Sequence, residues 1–372
     1  MKQKVEQAFF SLLRISLWQG NEDLSIFENL SSDHWEKIYE IAKSQALLAV
    51  IYDGVNSLPK GLMPDKKLLI KWFVNSGKVE KSNIVIDNIL QEFSSKIKKE
   101  NIQFILIKGQ GLASLYPSPL HRQCGDIDIV VNDKSKYQEL YQLMCSYTDS
   151  KPLFRVKHVS FDYCGTNIEI HKNIMNLHNP FRINKVNKFI DHIIERDGYD
   201  YYQSGNESIK LLPHTINAVY ILKHAFDHLV TFGVGLRQVC DWTIFIKTYK
   251  DKLDKKEITH LLKLCSLHEA ANMFAYISIN YLGLSVDDIP FEYHENKKQG
   301  EFLYNDILSG GNFGTFRKGY SVNKNAVLRR TNTALTIFKR SIKFIKFSPT
   351  ETLWYPLMQI YKVSLSLLRI EA

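Results

Sequence analysis

Residues 103–131, QFILIKGQGLASLYPSPLHRQCGDIDIVV, constrain the possible folds of this chain more than any other stretch. An apolar, strand-like run ends in Lys108-Gly109, and a loop rich in Gly, Pro and basic residues follows it. A second strand-like run then carries Asp126 and Asp128. Acids at positions i and i+2 of a strand project from the same face of a sheet. The stretch therefore predicts a strand–loop–strand unit that presents two carboxylates side by side.

Two carboxylates presented in this way can bind a hard divalent cation such as Mg²⁺. Together with a phosphate-binding turn close to them, these carboxylates are the minimum set of groups that metal-assisted phosphoryl transfer needs. We interpret Lys108 and Gly109 as that turn, because glycine lets the backbone approach phosphate oxygens and lysine supplies positive charge. Arg122 lies just ahead of the acids. It is interpreted either as a phosphate clamp or as a surface residue that neutralises Asp126.

The composition is that of an ordinary globular protein with an excess of basic residues. The chain has 372 residues, enough for two or three domains, with 45% hydrophobic and 23% charged residues. Its formal net charge of +9 suits an anionic partner such as a nucleotide. The basic residues are scattered, and the sequence has no recognisable nucleic-acid-binding motif.

Cysteine usage and hydropathy bear on the cellular setting. The five cysteines are odd in number and form no CxxC pair, which argues against a disulfide framework and a structural zinc site. We therefore predict a cytoplasmic protein in a reducing environment. The N-terminal segment is interrupted by Glu6 and Arg14, so it predicts an amphipathic helix and not a signal peptide. No apolar run reaches the ~20 residues that span a bilayer, so no membrane span is predicted.

Helical patterns flank the strand–loop–strand unit on both sides. One helix is predicted to start near Asp65, with apolar residues recurring at helical spacing along it. Residues 179–211 are charged and irregular and are interpreted as a connector. We predict an α+β protein with a small mixed β-sheet core in residues 101–178. This core lies between an N-terminal helical region (1–100) and a connector with a C-terminal helical domain (179–372).

Residues 156–171 predict a β-hairpin with a type II′ turn at Gly165-Thr166. This register places Asp162 directly opposite Glu169, and like charges in that position destabilise a sheet unless a cation or a basic side chain lies between them. It also separates an apolar face from a polar one, which supports the register. The apolar face comprises Val159, Phe161, Tyr163, Ile168 and Ile170, and the polar face comprises Ser160, Asp162, Cys164, Asn167, Glu169 and His171.

A third acid is needed to hold a catalytic cation and to orient or deprotonate an incoming nucleophile. Glu169 is our choice, because it lies on a strand after the intervening helix, where a neighbouring strand of the same sheet is expected. Asp162 is the competing third acid. The alternative for Glu169 is a surface residue paired with Lys157 or Lys172.

A second set of polar residues lies in the C-terminal half. His224 and His228 share a helix face at a spacing that metal ligands use. Because there is no HExxH motif and no obvious further ligand, two other interpretations are favoured. The histidines either form a buried polar network with Asp241 or line the substrate cleft.

The pattern KG…YP.P…R…GDIDIVV followed by IEIH resembles the polymerase-β-type nucleotidyltransferase superfamily. Within it, the chain resembles a bacterial family of uncharacterised nucleotidyltransferases, and the likeness extends to LKHAFDH, GLRQVCDW and GGNFG. The resemblance implies a small mixed sheet on which Asp126, Asp128 and Glu169 bind two Mg²⁺ ions. Many members of the superfamily have Gly-Ser at the turn where this chain has Lys108-Gly109.

These observations predict a Mg²⁺-dependent nucleotidyltransferase that moves an NMP from an NTP to an acceptor and releases pyrophosphate. Lys108, Gly109 and Arg122 are expected to steady the triphosphate, and the C-terminal helices to form the acceptor side of the cleft. The acceptor is left open as a small metabolite, a sugar phosphate, a protein side chain or RNA. A glycosyltransferase with a DxD motif would need a larger nucleotide-binding domain than the ~70 residues available here. The remaining alternative is a catalytically silent nucleotide-binding or partner-binding protein.

Overall fold

The computed structural model describes residues 2–131, 133–148, 151–154, 158–316 and 326–367. The chain divides into two compact units. Unit 1 comprises Met1–Lys43, Leu47–Ile174 and Ile194–Pro213, and unit 2 comprises Ser44–Ala46, Met175–Ile193 and His214–Ala372.

Unit 1 contains one long helix, α4 (Lys66–Lys99). The Asp65 side chain accepts a hydrogen bond from the Leu68 amide at 3.0 Å and begins this helix where the sequence predicts it. Its buried side chains include Ile86, Leu90 and Phe93, which lie on the predicted apolar stripe. The helices that lie wholly or mostly in unit 1 are α1 (Lys2–Trp18), α2 (Ser32–Ser44), α3 (Leu48–Asn56), α4 (Lys66–Lys99), α5 (Gly109–Ala113) and α6 (Tyr137–Tyr147).

Unit 1 also contains a mixed seven-stranded sheet with the order β3-β4-β5-β2-β1-β7-β6. Strand β2 runs parallel to β5, strand β1 runs parallel to β7, and the other neighbours are antiparallel. The predicted α+β class with a mixed sheet is thus confirmed. The strands are β1 (Phe104–Leu106), β2 (Asp126–Val131), β3 (Leu153–Phe154), β4 (His158–Tyr163), β5 (Thr166–His171), β6 (Asp200–Ser204) and β7 (Glu207–Leu211).

Alternation along β2 separates the core from the polar face of the sheet. Ile127, Ile129 and Val131 belong to the cluster of buried apolar side chains that also contains the α4 stripe. Successive side chains of a strand point to opposite faces. Asp126 and Asp128 therefore lie on the face that does not pack against α4.

The β4–β5 hairpin differs from the predicted register by two residues. Its turn residues are Cys164 and Gly165, both with positive φ (51° and 79°), as a type I′ turn requires. Asp162 lies opposite Asn167, so the predicted pairing of Asp162 with Glu169 is wrong. The two faces are nevertheless as predicted, because a shift of two residues keeps every side chain on its own face.

The segment predicted as an irregular connector is ordered secondary structure. It forms α7 (Pro180–Asp197) and the β6–β7 hairpin, and β7 extends the sheet beside β1. Val186 and Ile190 are buried along α7, and Ile209 of β7 enters the sheet core. The segment is therefore not irregular, and its role as a connector stays a prediction. Charged residues interleaved with these apolar positions hid the periodicity.

Unit 2 is helical where it is described. Among its described residues, the most deeply buried cation is Lys223, whose Nζ lies 2.6 Å from Asp227 Oδ1 and 3.5 Å from Glu351 Oε2. None of the described helices is both long and apolar enough to cross a membrane. Besides most of α7, the unit contains α8 (His214–Thr231), α9 (Leu236–Tyr249), α10 (Lys255–Leu264), α11 (His268–Asn280), α12 (Lys297–Gly310), α13 (Ala326–Phe344) and α14 (Pro349–Leu367).

Candidate active site

The parallel pairing of β2 with β5 brings the three predicted acids together. Asp128 pairs with Glu169, and Asp126 pairs with Asn167 two positions earlier. One carboxylate oxygen from each of Asp126, Asp128 and Glu169 lies within 4.8 Å of the other two. The three acids thus converge on the polar face of the sheet, and their role as metal ligands stays a prediction.

The donor set of this acid group fits Mg²⁺. This ion takes oxygen ligands at about 2.0–2.1 Å, so the ligand atoms around it are at most ~4.2 Å apart. The separations in the acid group need only small side-chain adjustments to reach that limit. Asp126 and Glu169 are half-buried and Asp128 is buried, so the group combines an accessible side with a protected one.

Asp128 is a buried carboxylate held between two basic side chains. It is 1% exposed, and its Oδ2 lies 2.8 Å from Lys108 Nζ. On the other side, His171 Nε2 hydrogen-bonds to Asp128 Oδ1 at 2.9 Å. Burial by itself lowers the pKa of His171, but the hydrogen bonds to Asp128 and Glu169 raise it above its ordinary value. Both contacts offset the cost of burying the Asp128 charge.

Lys108 has an unusual backbone conformation at the end of β1. Its φ of 70° and ψ of −143° lie in a region that is almost confined to glycine. Its ammonium group contacts Asp128, and its predicted contact with a triphosphate stays a prediction. The next residue, Gly109, also has positive φ (53°) and begins α5. A tight turn thus directs the Lys108 side chain toward the acids.

Arg122 is buried behind this turn and is not a surface residue. It is 4% exposed, and its Nη1 donates to the Gly109 carbonyl oxygen at 3.3 Å and to Cys124 Sγ at 3.2 Å. The surface position in that alternative is therefore wrong, and the neutralisation of Asp126 by Arg122 stays a prediction. Through Gly109, Arg122 fixes the turn that carries Lys108.

Asn83 of α4 fixes the loop that leads into β2. Its side-chain amide donates to the carbonyl oxygens of Leu120 (2.6 Å) and Arg122 (2.9 Å). Its carbonyl oxygen accepts from the Cys124 amide at 3.2 Å. Asn83 is not among the site residues predicted from the sequence. The available signal was a polar residue within the apolar stripe of α4, three positions before Ile86.

A second group of possible ligands shares Glu169 with the acids. It consists of His158, Glu169 and His171, each of which offers a ligand atom within 4.8 Å of the others. Burial lowers the pKa of His158 to about 4 against the opposing effect of Glu169. Its imidazole is therefore neutral at pH 7. Neither histidine is among the predicted site residues, although His171 follows Glu169 at i+2 on the same strand face.

The surroundings of Glu169 and Asp162 bear on the alternative interpretations of these two acids. Glu169 contacts His158 and His171, whereas Lys172 Nζ lies 5.6 Å above the Tyr137 ring. Lys157 lies outside the described residues. Asp162 is exposed, and its Oδ1 accepts a hydrogen bond from the Gly165 amide at 2.9 Å. Asp162 therefore closes the hairpin turn and is absent from both groups of possible metal ligands found among the described residues.

The histidines of unit 2 contact each other. His224 Nε2 and His228 Nε2 are 2.9 Å apart and share a hydrogen bond along α8. Asp241, on α9, is buried. In the part of the chain that the structure describes, the groups of three or more possible ligands do not include these histidines. Both interpretations of them stay predictions.

Comparison with known proteins gives a match to one protein-family model. No curated protein and no solved structure matches the chain. A family model described as "Uncharacterised nucleotidyltransferase" matches residues 31–283, which include both groups of possible ligands, Lys108 and Arg122. The narrower resemblance to a bacterial family of the polymerase-β-type superfamily stays a prediction. Because the match covers well over half of its residues, the chain belongs to the uncharacterised nucleotidyltransferase family, a family of transferases.

Proposed function

We propose that this chain transfers a nucleoside monophosphate from an NTP to an acceptor and releases pyrophosphate, with Mg²⁺ as the metal. The observation that carries the proposal is the convergence of Asp126, Asp128 and Glu169 on one face of the sheet. Membership of a nucleotidyltransferase family supports the same reaction class.

The roles of the side chains follow from their positions. Asp126, Asp128 and Glu169 would hold two Mg²⁺ ions, which supply Lewis-acid polarisation of the α-phosphate. Glu169 would orient the acceptor hydroxyl and take its proton. The acceptor oxygen then bonds to the α-phosphorus as the bond between that phosphorus and the pyrophosphate oxygen breaks.

The turn at the end of β1 would serve the triphosphate. Lys108 Nζ, 2.8 Å from Asp128, places a positive charge within reach of phosphate oxygens that approach the acids. Arg122 would act on this turn through its hydrogen bond to the Gly109 carbonyl. The net charge of +9 favours an anionic acceptor, and the cysteine pattern favours a cytoplasmic setting.

A label on the α-phosphate tests the proposal. The wild-type chain is incubated with Mg²⁺, an α-labelled NTP and either cellular small molecules, cellular RNA or protein as the acceptor. We expect Mg²⁺-dependent incorporation of the label into one acceptor fraction and release of pyrophosphate. Asp126→Asn, which removes one charge at a half-buried position, should abolish both. Equal transfer by wild type and Asp126→Asn would refute the assignment of the acids.

A catalytically silent protein is the competing function, and the surroundings of Asp128 favour it. Lys108 and His171 already compensate this buried carboxylate, so the group could be a stable polar cluster in a nucleotide-binding or partner-binding protein. The same assay separates the two functions. A silent protein binds the NTP or ignores it and releases no pyrophosphate with any acceptor fraction.

A further inference from the structure

Two imidazole rings face Glu169 on the polar side of the sheet. His158 Nδ1 lies 3.2 Å from Glu169 Oε2, and His171 Nε2 lies 3.7 Å from the same oxygen. The ring centres of the two histidines are 4.9 Å apart. His158 and His171 are direct partners across the β4–β5 hairpin, so the sheet itself holds the rings side by side.

The two nitrogen–oxygen separations match the spacing of neighbouring ligands around a small tetrahedral ion. Zinc binds imidazole nitrogen and carboxylate oxygen at about 2.0–2.2 Å, which places neighbouring ligand atoms ~3.3–3.6 Å apart. The two nitrogen–oxygen separations at Glu169 Oε2, 3.2 and 3.7 Å, lie on either side of this range. All three ligand atoms lie within 4.8 Å of one another, and an ion bound between them would replace the hydrogen bond from His171 Nε2 to Asp128 Oδ1. Each histidine must give up any proton on the nitrogen that binds the ion.

The ligand types distinguish this group from the acid group. Imidazole nitrogen suits zinc, copper, iron and nickel, whereas Mg²⁺ binds oxygen atoms and retains water. Glu169 belongs to both groups; its Oε2 faces the two histidines, and its Oε1 accepts a hydrogen bond from Asn167 Nδ2 at 3.1 Å. Asp126 belongs only to the acid group and His158 only to the histidine group. A single substitution of Asp126 or of His158 therefore removes a ligand from one group and leaves the other group complete.

We propose that His158, Glu169 and His171 bind a divalent transition-metal ion of the zinc class, next to the all-oxygen group. Three protein ligands leave a fourth coordination position open, and an ion of this kind lowers the pKa of a water molecule or hydroxyl group bound there. If the proposed transfer reaction holds, the open position suits the acceptor hydroxyl. This last consequence rests on the proposed function, whereas the binding of the ion does not.

Cobalt binding without nucleotide tests the proposal. Full-length protein is stripped of metal with a chelator and titrated with Co²⁺, whose visible absorption is intense in tetrahedral sites. The variants are His158→Gln and, as the matched control, Asp126→Asn. We expect wild type and Asp126→Asn to bind one Co²⁺ with the tetrahedral spectrum. His158→Gln should bind at least tenfold more weakly and lose that spectrum.

Two results would overturn the proposal. One is a His158→Gln variant that binds Co²⁺ as wild type does, and the other is an Asp126→Asn variant that loses the tetrahedral spectrum. If His158→Gln does not fold, His158→Phe keeps the ring volume and replaces it. In that case Zn²⁺ should raise the unfolding midpoint of wild type and Asp126→Asn and leave that of His158→Phe unchanged. A rise for all three would also overturn the proposal.

The Co²⁺ titration tests the histidine site whether or not the chain transfers an NMP. If no NMP transfer occurs but Co²⁺ binding still requires His158, the proposed function fails and the histidine site stands. If transfer requires Asp126 while Co²⁺ binding ignores His158, the histidine site fails and the proposed function stands.

Discussion

Replacing Asp128 by asparagine should destabilise unit 1 by about 3 kcal/mol, because removing one partner of a buried ion pair leaves the other charge uncompensated. The Lys108 side chain is 11% exposed and Asp128 is 1% exposed, so solvent screens their 2.8 Å contact poorly. His171 can lose its proton when Asp128 is gone, so the cost falls near the lower end of the range of about 3–5 kcal/mol.

A double-mutant cycle isolates this contact. Lys108→Met removes the charge that Asp128→Asn leaves without its partner. The double variant should therefore be more stable than the sum of the single effects predicts, by about 2 kcal/mol. Asp126→Asn is the matched control, since its half-buried carboxylate should change the free energy of unfolding by less than about 1 kcal/mol.

The assay is urea unfolding followed by tryptophan fluorescence, with Trp72 as a buried reporter in unit 1. Transitions with similar slopes allow the midpoints to be compared as stabilities. If Asp128→Asn and Asp126→Asn unfold at the same urea concentration, the burial argument for Asp128 fails. If the two single effects simply add in the double variant, the contact between Lys108 and Asp128 does not stabilise the fold.

Three further predictions follow from contacts around the site. Asn83→Ala removes three hydrogen bonds to backbone groups of the β2 loop, two of them buried, and should cost about 3 kcal/mol in urea unfolding; wild-type stability would contradict this. Burial lowers the pKa of His121, but hydrogen bonds to Asp53 and Glu80 raise it more. Its stabilising effect is therefore complete below the unfolded pKa of about 6.5 and is lost as pH rises through the higher folded pKa. His121→Gln should flatten that part of the stability–pH curve, and an unchanged slope would contradict the pairing. Cys164→Asn should stabilise the type I′ turn by about 0.5 kcal/mol, because Asn-Gly is preferred there. A lower midpoint of thermal unfolding for this variant than for wild type would count against the observed register.

Local patterns in the sequence predict the elements that carry the acids. Alternation in DIDIVV places two acids on one face of β2, and a strand after an intervening helix places Glu169 beside it. The hairpin shows the limit of such rules. Gly165 can be the first residue of a type II′ turn or the second of a type I′ turn, and both choices give the same two faces. The hydrogen bond from the Gly165 amide to Asp162 favours the second.

Contacts between distant residues could not be predicted in this way. Asn83 lies 39 residues from Arg122, and no local rule relates a polar position on α4 to the loop before β2. Lys108 takes a backbone conformation that local propensity assigns to glycine, so its direction toward Asp128 had no signal in the sequence. The histidine pairing across β4 and β5 likewise depends on the exact register.

Binding of Mg²⁺ with an NTP tests most directly whether Asp126, Asp128 and Glu169 form a metal-dependent nucleotide site. Calorimetry with a non-hydrolysable NTP is carried out on wild type and Asp126→Asn, with and without Mg²⁺. We predict that Mg²⁺ tightens NTP binding to wild type at least tenfold and has no effect on Asp126→Asn, while both proteins unfold at similar urea concentrations. Equal effects of Mg²⁺ on the two proteins would contradict the assignment of these acids as the metal ligands.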